Sequence, residues 1–200
     1  MRIAIKYWLL GKGYYMAVEA MDFASTFHVG TRKDGQPEFS HQVSQANLAR
    51  TLICEMEYPE ETIAVIFLHD VMEDYGVPYS ELVSKFGLLV ADAVEKMSKE
   101  FRGVKIPTNI YYDNMSKCKI SSIAKGIDRL HNLMTMIGGF KLAKRISYID
   151  ETMDYVVPML KVARKLYPRQ DGVYENLKFT MTNQVVLYRA LNDLESKASK

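Results

Sequence analysis

The chain has 200 residues, 48% of them hydrophobic and 25% charged, with a formal net charge of +2. That balance excludes a disordered or fibrous chain and predicts one globular domain over residues 1–200. The charge is too small, and its 26 Lys and Arg too dispersed, for a nucleic-acid or membrane surface.

The opening stretch, "MRIAIKYWLLGKG", is a weak mimic of a signal peptide, broken by Lys6 and followed by no small-residue cleavage site. No apolar run reaches the roughly 18 residues that a membrane-spanning helix requires. Cys54 and Cys118 lack CxxC spacing, so they are expected as buried, reduced thiols in a cytoplasmic protein. Residues 28–41, "HVGTRKDGQPEFSH", read as a loop broken by Gly35 and Pro37. Helical spacing follows in "SHQVSQANLARTLICEM", where Val43, Ala46, Leu48, Leu52 and Ile53 fall near one face. "PEETIAVIFLHDVMEDY" starts with proline and acids, as a helix does, and stops before Gly76 and Pro78. "SELVSKFGLLVADAVEKMSK" has Ser80 as N-cap and apolar residues at helical intervals. "SKEFRGVKIPTNIYY" separates it from a long helix, "MSKCKISSIAKGIDRLHNLMTM". A further helix over 144–166 is expected to bend or restart at Pro158, and the C-terminal stretch 170–195 to be helical. Strand signals are scarce, so the predicted fold class is all-α, a helical bundle.

The segment "FLHDVMED" (67–74) places a histidine and three acids directly after the apolar run Ile63–Leu68. On a continuous helix His69 and Glu73 share one face, and Asp70 and Asp74 the next. Taken alone, this reads equally as a solvated helix end. Two distant pieces alter that balance. His41 opens an earlier helix, and Asp128 sits among Ile123, Ile127, Leu130 and Leu133, with Asn132 one turn further on. Two imidazoles and two carboxylates form a mixed nitrogen and oxygen set. It suits a divalent cation of borderline hardness, manganese first, with zinc, iron or magnesium as alternatives.

The H…HD…D pattern is that of the HD-domain metal-dependent phosphohydrolases. "RKDGQPEFSH", "FLHDVMED", "KFGLLVADAVEKMSK", "IDRLHNLMTM" and "RISYIDETMDYVVP" follow in order over roughly 20–165. Together they closely resemble the hydrolase domain of the RelA/SpoT family. The resemblance implies a single HD-domain bundle in which His41, His69, Asp70 and Asp128 hold a metal ion, manganese in that family. Glu73 and Asp74 match the acidic pair that orients and deprotonates the attacking water. Arg32 and Lys33 match a loop that complements phosphate charge, and Asn132 and Thr152 match positions that contact the nucleotide. Arg129 is expected in a structural ion pair, and His28 in packing, while His131 is left open. Met134 and Met136 are expected as core filler.

Gln42 stands where the family usually has proline. Val156 and Asp150 replace its tyrosine and lysine, with Tyr155 one place early. Nothing in the chain resembles the synthetase, TGS or ACT regions of the long RelA/SpoT proteins. The expectation is a small stand-alone alarmone hydrolase, cleaving the 3′-diphosphate from ppGpp or pppGpp to give GDP or GTP and pyrophosphate. Its expected partner is a small-molecule nucleotide, with no nucleic acid and no membrane. The alternatives are the same chemistry on another substrate (NADPH, a 3′- or 5′-nucleotide, a cyclic dinucleotide) and a non-catalytic nucleotide-binding module. The sequence leaves oligomeric state open.

Overall fold

The computed structural model describes residues 1–32, 35–101 and 103–198. Two N-terminal helices precede the Gly/Pro loop: α1 (Arg2–Lys12), which ends at Gly13 in the left-handed region, and α2 (Tyr15–Ser25). Small residues, Ala17, Ala20 and Ala24, form the buried stripe of α2, which lets it lie close against α4 (Pro59–Leu68). From Thr62 to Leu68 every residue of α4 is buried. A helix apolar all round must be enclosed. Each fully buried Ile or Phe there contributes about 1.5–3 kcal/mol of transfer free energy. α3 (Ser40–Ala49) and α6 (Tyr79–Met97) pack on α4 as well.

The second central helix is α8 (Ser121–Thr135), which touches α3, α4, α6 and α7 (Thr108–Ser116). Its remaining sides are covered by α10 (Val157–Leu166) and α11 (Asp171–Ala198). Gly126 makes the last approach possible. A Cβ at that position would stand 2.8 Å from Leu177 Cδ1 and 3.2 Å from Leu160 Cδ2. The all-α expectation holds, apart from a two-residue antiparallel hairpin of β1 (Glu100–Phe101) and β2 (Val104–Lys105).

Several boundaries differ from the sequence reading. α3 stops at Ala49 and is followed only by a 3-10 turn, Ile53–Glu55. The helix expected to run continuously to Tyr75 is interrupted at His69 and Asp70 and resumes as α5 (Val71–Tyr75). α6 carries a kink at Gly87, whose φ of 78° lies where a side chain is strained. α8 begins at Ser121, because the residues before it belong to α7 and a turn. The bend or restart expected at Pro158 takes the form of a π-turn directly before a helix that restarts there. α9 (Leu142–Glu151) passes through a π-turn, Thr152–Val156, and Pro158 opens α10, where its missing N–H goes unnoticed. Cys54 is exposed and Cys118 half-buried, rather than both buried. Met136 is in the core, whereas Met134 is half-exposed. No helix among the described residues is long and apolar enough to cross a membrane.

Candidate metal centre and active site

His41 is the second residue of α3, and its ring is buried. Its Nε2 lies 3.2 Å from Asp128 Oδ1, although the two residues are 87 positions apart. Asp128 is delivered by α8. Its other oxygen, Oδ2, accepts a hydrogen bond from Lys125 Nζ at 2.9 Å, and Asn132 Nδ2 donates to Oδ1 at 2.8 Å. Burial by itself would push the Asp128 carboxyl up. The Lys125 ammonium outweighs it, with the two imidazoles adding, and holds the group well below the usual carboxylate range.

The interruption between α4 and α5 turns His69 and Asp70 into the same space. His69 Nδ1 donates to the Ile66 carbonyl at 2.8 Å, which leaves Nε2 to face the cluster. That Nε2 lies 3.0 Å from Asp70 Oδ2 and 3.8 Å from Asp128 Oδ1. Burial would lower the His69 pKa, but the Asp70 carboxylate, reinforced by Asp128, raises it to about 9. Burial pushes His41 down by more than Asp128 pulls it up. Asp70 would be raised by burial, yet His69 brings it below its ordinary value.

His41, His69 and Asp70 offer ligand atoms that all lie within 4.8 Å of one another, a group able to hold a metal ion. Asp128 borders the two imidazoles without joining that mutual set. The donors fit a divalent cation. The Nε2 of His69 is oriented by a backbone bond on the opposite ring atom, the kind of contact that holds metal-bound imidazoles in place. His41 Nδ1 is likewise engaged, 2.9 Å from His131 Nδ1.

These groups line a polar cavity of about 360 Å³ that also takes in Glu73, Asp74, Arg32 and Asn132. Glu73 is exposed, and the backbone N–H of Lys99 donates to its Oε2 at 2.8 Å. Burial raises the Asp74 carboxyl, and the nearby Asp70 and Glu73 charges raise it further. Arg32 and Asn132 also border a neighbouring hollow of about 220 Å³, with Thr135, Phe140 and Lys144 on its far side. Lys33 lies outside the described residues.

Thr152 is not brought to this cavity. It is fully buried, donating to the Tyr148 carbonyl at 2.7 Å and accepting from Arg129 Nη1 at 3.4 Å. Arg129 is in the structural ion pair its embedding predicts. Its Nη2 lies 2.8 Å from Glu151 Oε1 and donates to the Tyr112 hydroxyl at 2.8 Å, and the guanidinium lies over the Tyr148 ring. His28 packs against Phe39 and Tyr75, as expected. Val156 is in the core and Tyr155 stacks on Tyr112, so neither borders the cavity. Sequence reading did not single out Lys125, Gln45, Lys99 or Tyr111. Lys125 carried the signal of a lysine inside an apolar helix, three residues before the acid.

The chain resembles a protein of Escherichia coli K12 called bifunctional (p)ppGpp synthase/hydrolase SpoT. The two are 31% identical over 137 residues, which covers 64% of this chain and 19% of that one. It also matches GTP pyrophosphokinase rsh of Brucella ovis, 28% identical over 159 residues, covering 76% of this chain and 20% of that one. A solved structure described as "A metazoan ortholog of SpoT hydrolyzes ppGpp and plays a role in starvation responses" superposes with a TM-score of 0.63. It shares 19% identity and is covered over 96% of its length by 88% of this chain. The chain is thus similar in sequence to RelA/SpoT-type proteins and shares the fold of that solved structure. No protein-family model matches it.

The chain spans about a fifth of the length of the curated relatives named above, 19% of SpoT and 20% of rsh. In such a bundle the tightly packed helices act as a frame. α3, the α4–α5 break and α8 each contribute one piece of the polar cluster to a common point.

Proposed function

We propose that this HD domain hydrolyses the 3′-diphosphate of ppGpp and pppGpp, leaving GDP or GTP and releasing pyrophosphate. One observation carries the reading: imidazoles and carboxylates from α3, the α4–α5 break and α8 converge in a cavity whose rim bears Glu73 and Asp74. His41, His69, Asp70 and Asp128 would hold a divalent ion, manganese first among the candidates for this nitrogen and oxygen donor set. Such an ion supplies Lewis acidity and eases deprotonation of water.

The chain's own residues do the rest. Glu73 and Asp74 orient a water molecule and accept its proton as it adds to the phosphorus attached at the ribose 3′ position. Glu73 is steadied for this by the Lys99 N–H on one oxygen, which leaves Oε1 to take the proton. The bond from that phosphorus to the 3′ oxygen breaks, that oxygen takes up a proton to become the 3′ hydroxyl of GDP or GTP, and the phosphorus departs with the attacking oxygen as pyrophosphate. Arg32 and Lys33 complement the charge that gathers on the phosphoryl oxygens. The nucleoside lies toward Asn132 and the adjoining hollow, a placement supported by the two residues the cavities share. Thr152 acts behind Arg129 rather than on the nucleotide. The unbridged cysteines accord with a reducing, cytoplasmic setting.

The test is product identification from a nucleotide panel with manganese. Pyrophosphate from ppGpp is the expected result. No release while the ion is demonstrably bound, or faster turnover of NADPH, overturns the assignment.

A further inference from the structure

Gln45 is fully buried on α3, one turn after His41. Its side chain ends inside the cluster. The terminal nitrogen lies 2.6 Å from His41 Nε2 and 3.0 Å from Asp128 Oδ1. Its other terminal atom, Oε1, is buried and has no hydrogen-bond partner among the described residues. A buried amide oxygen left unsatisfied carries a penalty of about 1–3 kcal/mol, so a glutamine here calls for a reason. Leucine or valine would fill the same space without it.

In the tautomer that carries its proton on Nδ1, His41 Nε2 is an electron-pair donor like Asp128 Oδ1, and the two atoms face each other at 3.2 Å. Whatever lies between them must be positive. The carboxamide can face that position in one of two ways, because its NH2 and C=O ends are nearly the same size and the last torsion is broad and two-fold. With NH2 inward, it donates to both partners. With C=O inward, it adds an oxygen donor at the point where the two lone pairs converge. Only the second arrangement gives Oε1 a partner when a cation is held there.

We propose that Gln45 is a further oxygen donor to the divalent ion of this centre, turning its amide as the ion binds. The inference rests on the metal-dependent reading above and deepens it. An additional neutral oxygen raises the coordination number and favours ions that accept six or more ligands, manganese or magnesium, over tetrahedral zinc.

The experiment is a Mn²⁺ titration of the full chain followed by the electron paramagnetic resonance of free Mn²⁺, repeated with Zn²⁺ by calorimetry. Gln45→Val and the more nearly isosteric Gln45→Met are expected to bind Mn²⁺ about 10–100-fold more weakly, with a smaller loss for Zn²⁺. Thermal unfolding in chelator is expected to be unchanged or raised in both, since an unsatisfied amide is removed. Gln45→Glu, which retains an oxygen donor and adds charge, is expected to bind Mn²⁺ at least as tightly as the natural chain. Val and Met variants that fold and bind Mn²⁺ within twofold of the natural chain overturn the inference, as does a Glu variant as weak as Val. A natural chain that binds no divalent ion overturns the metal centre itself and this inference with it.

Discussion

Asp128 is shared between two kinds of partner: His41 Nε2 stands 3.2 Å from its Oδ1, while Lys125 Nζ holds its Oδ2 at 2.9 Å. The lysine and the carboxylate come from the same helix, three residues apart, and both are buried. Removing one member of a buried pair leaves the other uncompensated, at a cost of about 3–5 kcal/mol. Lys125→Met should therefore destabilise the chelator-treated protein by about that amount, and by clearly less with Mn²⁺ present, because the cation replaces the lost charge. Urea unfolding under both conditions measures the difference. Equal losses in the two would show that no ion reaches Asp128.

Glu73 is exposed at the rim, where the Lys99 backbone N–H donates to its Oε2. Glu73→Gln keeps that hydrogen bond and loses the proton acceptor. Hydrolysis of ppGpp should fall on the order of 10²–10⁴-fold in kcat, with Mn²⁺ affinity held within a few-fold. Steady-state kinetics beside a metal titration separate the two quantities. A matching loss of metal binding would move Glu73 into the coordination sphere.

The centre should respond to pH in a defined direction. His69 titrates at about 9 in the folded protein against an ordinary 6.5, because Asp70 outweighs its burial. In chelator its contribution to stability is fully present below about 6.5 and is lost as pH rises through about 9. The same proton must leave before Nε2 can ligate, so Mn²⁺ affinity should strengthen across that window, with proton release on binding. Calorimetry in buffers of different ionisation enthalpy counts the protons. A flat affinity profile would remove His69 from the ligand set.

Gly126 tests the frame rather than the chemistry. A methyl group there would meet Leu177 Cδ1 at 2.8 Å and Leu160 Cδ2 at 3.2 Å, and both leucines are fully buried. Gly126→Ala should cost about 1–3 kcal/mol through overpacking between α8, α10 and α11. Its kinetics at temperatures well below unfolding should stay close to those of the natural chain. Thermal melting and ppGpp turnover check the two halves of this expectation.

Local periodicity made much of the fold legible. The stripes of α6 and α8, the Pro59 start of α4 and the absence of strand alternation each rest on contacts within a few residues, which sequence spacing reports directly. The two N-terminal helices escaped because α1 resembled a leader segment and α2 is an alanine-rich stripe of low contrast. His41, His69, Asp70 and Asp128 were also legible, since a histidine or acid embedded in an apolar run demands a partner.

The sequence by itself determined that this chain forms helices with four metal-type donors in three separate segments, because those are properties of neighbours in the chain. Only the tertiary structure decided the rest: the break that turns His69 and Asp70 inward, the burial of Thr152 behind Arg129, and the meeting of Lys125 and Gln45 on Asp128. A polar side chain's partner is chosen by which helices pack together. Asp128 and Gln45 lie 83 positions apart, a separation that no helical repeat spans.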